Sequence, residues 1–353
     1  MVIEQFLPAF HYGDATSNSA VALHEYFVSE GIESRLISLT TDKNIRDNVT
    51  LFSDYKLIEN SVKILHFAVP SLLTDFFRTA PGKKVLIYHN ITPPSFFVNY
   101  SESLTKFTNT GRIYLESMKD IFDLSTGVSE YNCSELKNMG FRNVNVFPLI
   151  MKTEDYEKPH NKPYINLISG ERKNILCVGR VAPNKKLEDA VKMLFYYKKY
   201  LSPSIRLIIA GNTRSVPKYF YAVRDLASRF YLTSEDIIFT GHIKFDEFLS
   251  VYKIADVFLS VSEHEGFCLP VMESFKLGVP VAAFDAGAIR ETVGDGGIIF
   301  DTKNPEKVAG ILEYIIENKE VREKMIVSGK KRFKRYSEEA DPSKLLSMIN
   351  SLG

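Results

Sequence analysis

The chain reads as α/β, two Rossmann-like doubly wound parallel-sheet domains facing a common cleft. Three observations predict this. Short β-branched runs alternate with amphipathic stretches along the whole chain, the mark of parallel strands joined by crossover helices. The rhythm lapses once over a polar stretch and then restarts, which gives two halves. The length of 353 residues suits two domains of about 150–180 residues, each able to bury its own core.

In the first half, strands are expected at Val2–Leu7, Arg35–Leu39, Val62–Phe67, Lys84–Tyr88, Leu124–Val128 and Val144–Phe147. Helices are expected at Ser17–Glu30, Ser103–Phe122 and Glu130–Gly140, the last entered through Ser129 as N-cap. Gly13-Asp14-Ala15-Thr16-Ser17-Asn18 joins the first strand to the first helix, with Asp14 or Ser17 as its cap. From Met151 to Lys173 the chain turns polar, carries Pro159 and Pro163 and loses its period, so it reads as a linker. The domains are accordingly set at residues 1–155 and 165–333. The second half restarts with strands at Lys173–Val178, Arg206–Ala210, Asp236–Phe239, Asp256–Val261, Pro280–Phe284 and Gly297–Phe300. Helices are expected near Leu187–Tyr200, Lys218–Tyr231, Asp246–Lys253, Pro305–Asn318 and Glu320–Arg332, with one more within residues 337–353. Strand C-termini of such sheets carry the ligand in open α/β folds.

Composition narrows the classes. Lys plus Arg number 44 against 43 Asp plus Glu, a net charge of +1, and nothing argues for nucleic acid as partner. Cys133, Cys177 and Cys268 are far apart, odd in number and make no metal-spaced pair, which favours a reducing compartment and no disulfide framework. The stretch Met1 to Pro8 lacks a basic region and a long apolar segment, so it does not read as a signal peptide. No apolar run approaches membrane-spanning length, and a cytoplasmic protein is expected, with peripheral contact at the inner membrane face left open.

The most informative stretch is Glu265-Gly266-Phe267-Cys268-Leu269-Pro270-Val271-Met272-Glu273. It follows an apolar strand and opens a short helix at Pro270 that stops near Gly278. Strand, loop and helix N-terminus form a phosphate-binding geometry, because the first helical N–H groups lack partners. Carboxylates repel phosphate, so Glu265 and Glu273 suit hydroxyl groups on either side of it. One residue in the loop and one a turn inside the helix lie roughly 10–15 Å apart at about 1.5 Å per helical residue. That is the span from a sugar across a diphosphate to a ribose, and it suggests a nucleotide sugar. A surface helix with two solvated carboxylates is the competing reading.

Further candidates end other strands. Gly179-Arg180-Val181-Ala182-Pro183-Asn184-Lys185-Lys186 supplies a turn and cations that match a diphosphate without a metal. In Asp285-Ala286-Gly287-Ala288-Ile289-Arg290-Glu291, the small residues either bring amides to the ligand or merely form a tight turn. Gly241-His242-Ile243 ends another strand. In Tyr88-His89-Asn90-Ile91-Thr92-Pro93-Pro94, a histidine just past a strand belongs to the cleft rim more naturally than to the core, with a hydrogen-bonded structural turn as the alternative.

Together with Ser262, Glu263 and Lys276-Leu277-Gly278-Val279-Pro280-Val281, these segments resemble the retaining glycosyltransferases of the GT-B fold, family 4, with their E-x7-E signature. The resemblance covers nearly the whole chain. It implies that Glu265 contacts the transferred sugar, Glu273 the ribose, and Arg180 and Lys185 the donor diphosphate. Lys186 stands where the family usually has glycine, which leaves open which lysine reaches the phosphate. His89 inherits a contact with sugar or acceptor, Gly13 a place near the donor phosphates, and Ile243 a place by the base. Gly266, Phe267, Cys268 and Leu269 complete the donor loop. The final helix is expected to cross back onto the first domain. The implied activity is transfer of a sugar from a UDP- or GDP-sugar to a hydroxyl acceptor, such as a glycan, a lipid-linked acceptor or a small molecule, with no further cofactor. A nucleotide-sugar epimerase and a non-catalytic nucleotide-sugar-binding protein are the rivals. A dinucleotide-dependent oxidoreductase is disfavoured, since no strand is followed by G-x-G-x-x-G.

Overall fold

The computed structural model describes residues 1–11, 13–42 and 49–352, which fall into two compact units. Unit 1 comprises Met1–Ser95, Glu102–Lys152 and Tyr336–Gly353; unit 2 comprises Phe96–Ser101 and Thr153–Arg335. Among the described residues, no helix is long and apolar enough to cross a membrane.

Unit 1 is built on β1 (Val2–Leu7), β2 (Glu33–Ser38), β3 (Thr50–Leu51), β4 (Val62–Phe67), β5 (Lys83–Tyr88), β6 (Leu124–Gly127) and β7 (Val144–Val146). The order is β3-β2-β1-β4-β5-β6-β7, every pairing parallel. Sequence order reverses between β1 and β4, the switch point of a doubly wound sheet. β4 is buried along its entire length, as a central strand covered on both faces should be. Around it lie α1 (Ala15–Ser29), α2 (Leu73–Thr79), α3 (Glu102–Glu116) and α4 (Glu130–Asn138). Asp14 caps α1, accepting from the Ser17 amide at 3.0 Å, and Ser129 caps α4, accepting from Asn132 at 3.1 Å. The core gathers Phe6, Phe67, Phe77, Tyr88 and Leu115, all buried.

Unit 2 begins where a linker was expected, and the expectation is corrected there. The polar segment folds into α5 (Lys162–Ile168), whose Asn161 cap accepts from Tyr164 at 2.9 Å. Asn161 also donates to Asp246 at 2.8 Å, and its amide donates to Ser250 at 2.9 Å, which pins the segment within the unit. Tertiary hydrogen bonds replace the periodicity that the segment lacks.

The sheet of unit 2 contains β8 (Lys173–Val178), β9 (Ile205–Ala210), β10 (Ile237–Gly241), β11 (Val257–Ser260), β12 (Val281–Phe284) and β13 (Ile298–Phe300). Its order is β10-β9-β8-β11-β12-β13, again all parallel, so both sheets repeat one winding. The helices are α6 (Leu187–Tyr200), α7 (Pro217–Arg229), α8 (Phe245–Lys253), α9 (Leu269–Leu277), α10 (Ile289–Val293), α11 (Pro305–Glu317) and α12 (Lys319–Glu339). From Tyr336 onward the chain is again part of unit 1. The Tyr336 hydroxyl donates to the Leu149 carbonyl at 2.5 Å, and α13 (Pro342–Asn350) buries Leu345 and Ile349.

Candidate active site

Three loops at the C-terminal ends of β8, β11 and β12 build the site within unit 2. The first leaves β8 at Gly179, with φ +135°, a backbone state that L side chains rarely adopt. Gly211, at the end of β9, is bare for a related reason, since a Cβ there would stand 2.1 Å from the Gly179 carbonyl oxygen. Arg180 is exposed; Val181 to Asn184 turn inward, and the loop ends at Lys186 with φ +52°. Asn184 is the strut to the second loop. Its Nδ2 donates to the His264 carbonyl at 3.1 Å, and its own carbonyl accepts from the Glu263 amide at 2.8 Å.

That strut brings Lys185 and Glu265 together, Nζ to Oε1 at 2.6 Å, from positions 80 residues apart. Burial opposes the Lys185 ammonium, but the Glu265 carboxylate outweighs it and the pKa is raised. Lys186 turns to Glu188 and Glu263, at 3.7 and 3.3 Å. Lys185, and not Lys186, is therefore the neighbour of Glu265. Arg180 pairs with no carboxylate among the described residues. A small cavity here is lined by Gly179, Arg180, Lys185, Ser260 and Ser262.

The third loop explains its own glycine. Gly287 adopts φ +58°, and a Cβ would meet the Glu265 carbonyl oxygen at 2.4 Å. The Ala288 amide donates to that same oxygen at 2.9 Å. Of the two readings open for this loop, the tight turn describes it: the small residues let the chain close on Glu265, and the Ala288 amide is already engaged.

The helix that follows Glu265 is α9. Cys268 precedes it at φ +71° without a side-chain cap, Pro270 lies in its first turn, and Gly278 ends it at φ +73°. Val271 to Phe275 are buried without interruption, so the surface-helix reading of Glu273 fails. Glu273 Oε1 accepts from the Tyr156 hydroxyl at 2.8 Å and Oε2 from the Tyr252 hydroxyl at 2.9 Å. Burial pushes its pKa up to about 7, and the two tyrosine hydrogen bonds moderate the rise. Phe267 and Cys268 are buried, Gly266 and Leu269 half-buried. Ile243 lies past β10 and is half-buried, one residue beyond the exposed His242.

Gly13 and His89 lie in unit 1. Gly13 is exposed, with φ +74°, one residue before the Asp14 cap. His89 is half-buried, and the expectation of a simple rim position needs correction, because its ring belongs to a buried hydrogen-bond chain. His89 Nε2 lies 3.0 Å from His66 Nδ1, His66 Nε2 lies 2.9 Å from Gln5 Oε1, and Gln5 Nε2 donates to the Ala20 carbonyl at 3.1 Å. His89 Nδ1 is buried with no partner among the described residues. Such an orphan costs about 1–3 kcal/mol. Burial lowers the His89 pKa to about 3 and that of His66 well below its usual value, so both rings are neutral near pH 7. The adjacent turn is held by Glu135, which accepts from Asn90 at 2.8 Å, Arg112 at 2.7 Å and Tyr88 at 3.1 Å.

Sequence reasoning missed Asn184 as a strut, both tyrosines on Glu273, and Gln5 and His66 behind His89. Tyr156 lies 117 residues from Glu273, inside the supposed linker, and no local spacing connects the two.

Comparison with known proteins adds four findings. The family model for glycosyl transferases group 1 matches residues 160–332. The serotype-specific mannosyltransferase WbdA of Escherichia coli is 21% identical over 246 residues, 66% of this chain and 29% of WbdA. A GDP-mannose-dependent alpha-(1-6)-phosphatidylinositol monomannoside mannosyltransferase of Mycobacterium tuberculosis is 27% identical over 158 residues, 42% of this chain and 40% of that enzyme. The matched regions thus span well under half the length of these relatives. Among solved structures, Anabaena Alr3699/HepE in complex with UDP-glucose superimposes with a TM-score of 0.78 at 14% identity, covering 99% of each chain. The fold is GT-B.

Proposed function

We propose that this chain, whose residues 160–332 belong to the group 1 glycosyl transferases, moves a hexose-type sugar from a nucleotide-sugar donor to a hydroxyl acceptor with retention of configuration. The observation that carries this reading is the Lys185–Glu265 pair beside Arg180, which has no carboxylate partner among the described residues. A donor diphosphate supplies the anion that Arg180 lacks and competes with Glu265 for the Lys185 ammonium. Two cations then face the phosphates, and the carboxylate turns to the sugar hydroxyls. As the bond from the anomeric carbon to phosphate breaks, charge develops on the leaving diphosphate. Arg180, Lys185 and amides near Phe267 stabilise it, the largest contribution such a site makes. The acceptor oxygen bonds to the anomeric carbon on the same face, and its proton passes to the leaving phosphate oxygen. The cations take the place of a metal, so activity is expected to survive a chelator.

Glu273 anchors the ribose, with the Tyr156 hydroxyl sharing or yielding Oε1 as a ribose hydroxyl arrives. The names of the relatives point to hexoses, mannose in two of them and UDP-glucose in the solved complex. GDP-mannose and UDP-glucose are therefore the first donors to try, with glycan and lipid-linked acceptors. Donors are ranked by the rise in unfolding temperature, since a bound ligand stabilises the folded protein by mass action. Proton NMR of an early reaction mixture with the best donor should show the donor's anomeric configuration kept. An inverted linkage, or donor turnover with no acceptor present, overturns the proposal.

A further inference from the structure

We infer that Gln5 and His66 are positioning residues that hold His89 in a single tautomer, leaving Nδ1 as a bare acceptor for a substrate hydroxyl. The argument runs along the hydrogen-bond chain from its fixed end. The Ala20 carbonyl only accepts, so the Gln5 amide NH2 faces it. Gln5 Oε1 therefore faces His66 Nε2, and that nitrogen must carry hydrogen. A neutral His66 then has a bare Nδ1, which accepts from His89 Nε2–H at 3.0 Å. A neutral His89 with hydrogen on Nε2 has none on Nδ1. Each link leaves one choice for the next, and the chain ends in a lone pair.

The surroundings favour this state. Gln5 and His66 are fully buried, so neither has water as an alternative partner. The two imidazoles are nearly coplanar, at 18°, which suits an in-plane hydrogen bond between ring nitrogens. The backbone of His89 is fixed separately, its amide donating to the Phe67 carbonyl at 2.9 Å, while Asn90 is tied to Glu135 and Asn132. Backbone and ring are thus held from opposite ends. Nδ1 is itself buried, so a hydroxyl reaches it only where the residues covering it give way; the group that completes the chain must bring a hydrogen to Nδ1, and a sugar hydroxyl has that chemistry. This last step rests on the glycosyltransferase reading; the tautomer does not.

Nitrogen NMR of protein labelled with 15N-histidine tests the tautomer on the wild-type chain, without substrate or activity. His89 should show a protonated Nε2 and an unprotonated Nδ1 across pH 6–8; a protonated Nδ1 or a mixture overturns the inference. The positioning role is tested with His66→Asn, whose Oδ1 can accept from His89 Nε2, and His66→Phe, which cannot. His66→Phe should lose at least tenfold in kcat while its affinity for nucleoside diphosphate stays within twofold, and His66→Asn should recover most of the loss. If His66→Phe does not fold, Gln5→Met, which frees His66 to flip, serves with the same readouts. Equal losses in His66→Asn and His66→Phe, or no loss in either, overturn the positioning role. A wild-type chain that turns over no nucleotide sugar, yet shows the single tautomer, defeats the functional reading alone.

Discussion

At the scale of single residues, the two glutamates of the E-x7-E stretch have opposite environments and should fail differently. Glu265 holds Lys185, the lysine assigned to the diphosphate in the proposed complex. Glu265→Gln should therefore leave nucleoside diphosphate affinity unchanged or raised while turnover falls. Glu273 accepts two tyrosine hydrogen bonds and, in the proposed complex, a ribose hydroxyl. Glu273→Gln should weaken the diphosphate about tenfold or more, since hydrogen bonds to charged groups contribute about 1.5–3 kcal/mol. Calorimetry with the diphosphate separates the two, and equal weakening would refute the division of roles. Glu273 also has a pH signature. Its pKa rises from 4.5 to about 7 on folding, so the folded chain binds the extra proton between those values. Its contribution to stability is full below pH 4.5 and is lost as pH rises through 7, by up to about 3 kcal/mol. Glu273→Gln has no such group. Its unfolding temperature relative to wild type should therefore be higher at pH 8 than at pH 5, and a difference independent of pH would remove the raised pKa.

At the scale of elements, the site depends on loops that touch through their backbones. Gly287 is the clearest case, since its φ of +58° and the Glu265 carbonyl at 2.4 Å both resist a side chain. Gly287→Ala should cost about 1–3 kcal/mol and displace Glu265, lowering turnover with little change in overall secondary structure. Retained turnover and an unchanged unfolding temperature would mean that the loop relaxes freely. The sequence placed this glycine correctly at a strand end, yet could not say what it approached, because Glu265 reaches it only through the folded sheet. Local patterns were enough for α1, α4 and α9, whose cap, proline or terminal glycine is written beside the helix. They were not enough for α5, where Asn161 is held by Asp246 and Ser250 from another helix.

At the scale of the whole molecule, the chain leaves unit 1 and returns to it through Tyr336 and α13. Leu345 and Ile349 are buried there, and Lys83 donates to the Leu352 carbonyl at 2.6 Å. Burial of two such side chains contributes about 3 kcal/mol or more. Deleting residues 341–353 should accordingly raise hydrogen exchange in β1 and β4, leave β8 and β11 protected, and preserve nucleoside diphosphate binding. Equal loss of protection in both sheets would show that the terminal helix supports the two units alike.

The sequence by itself determined the doubly wound class, the position of most strands and the loops that bear Arg180, Lys185, Glu265 and His89. These rest on short-range chemistry: period, proline, glycine and caps. Tertiary structure alone decided which lysine stands beside Glu265, why Gly287 is bare, and that Glu273 is buried among tyrosines. It also decided that His89 ends a chain begun at Gln5. Those choices depend on side chains from separate strands, helices and loops converging in the folded units, and no spacing along the chain records that convergence.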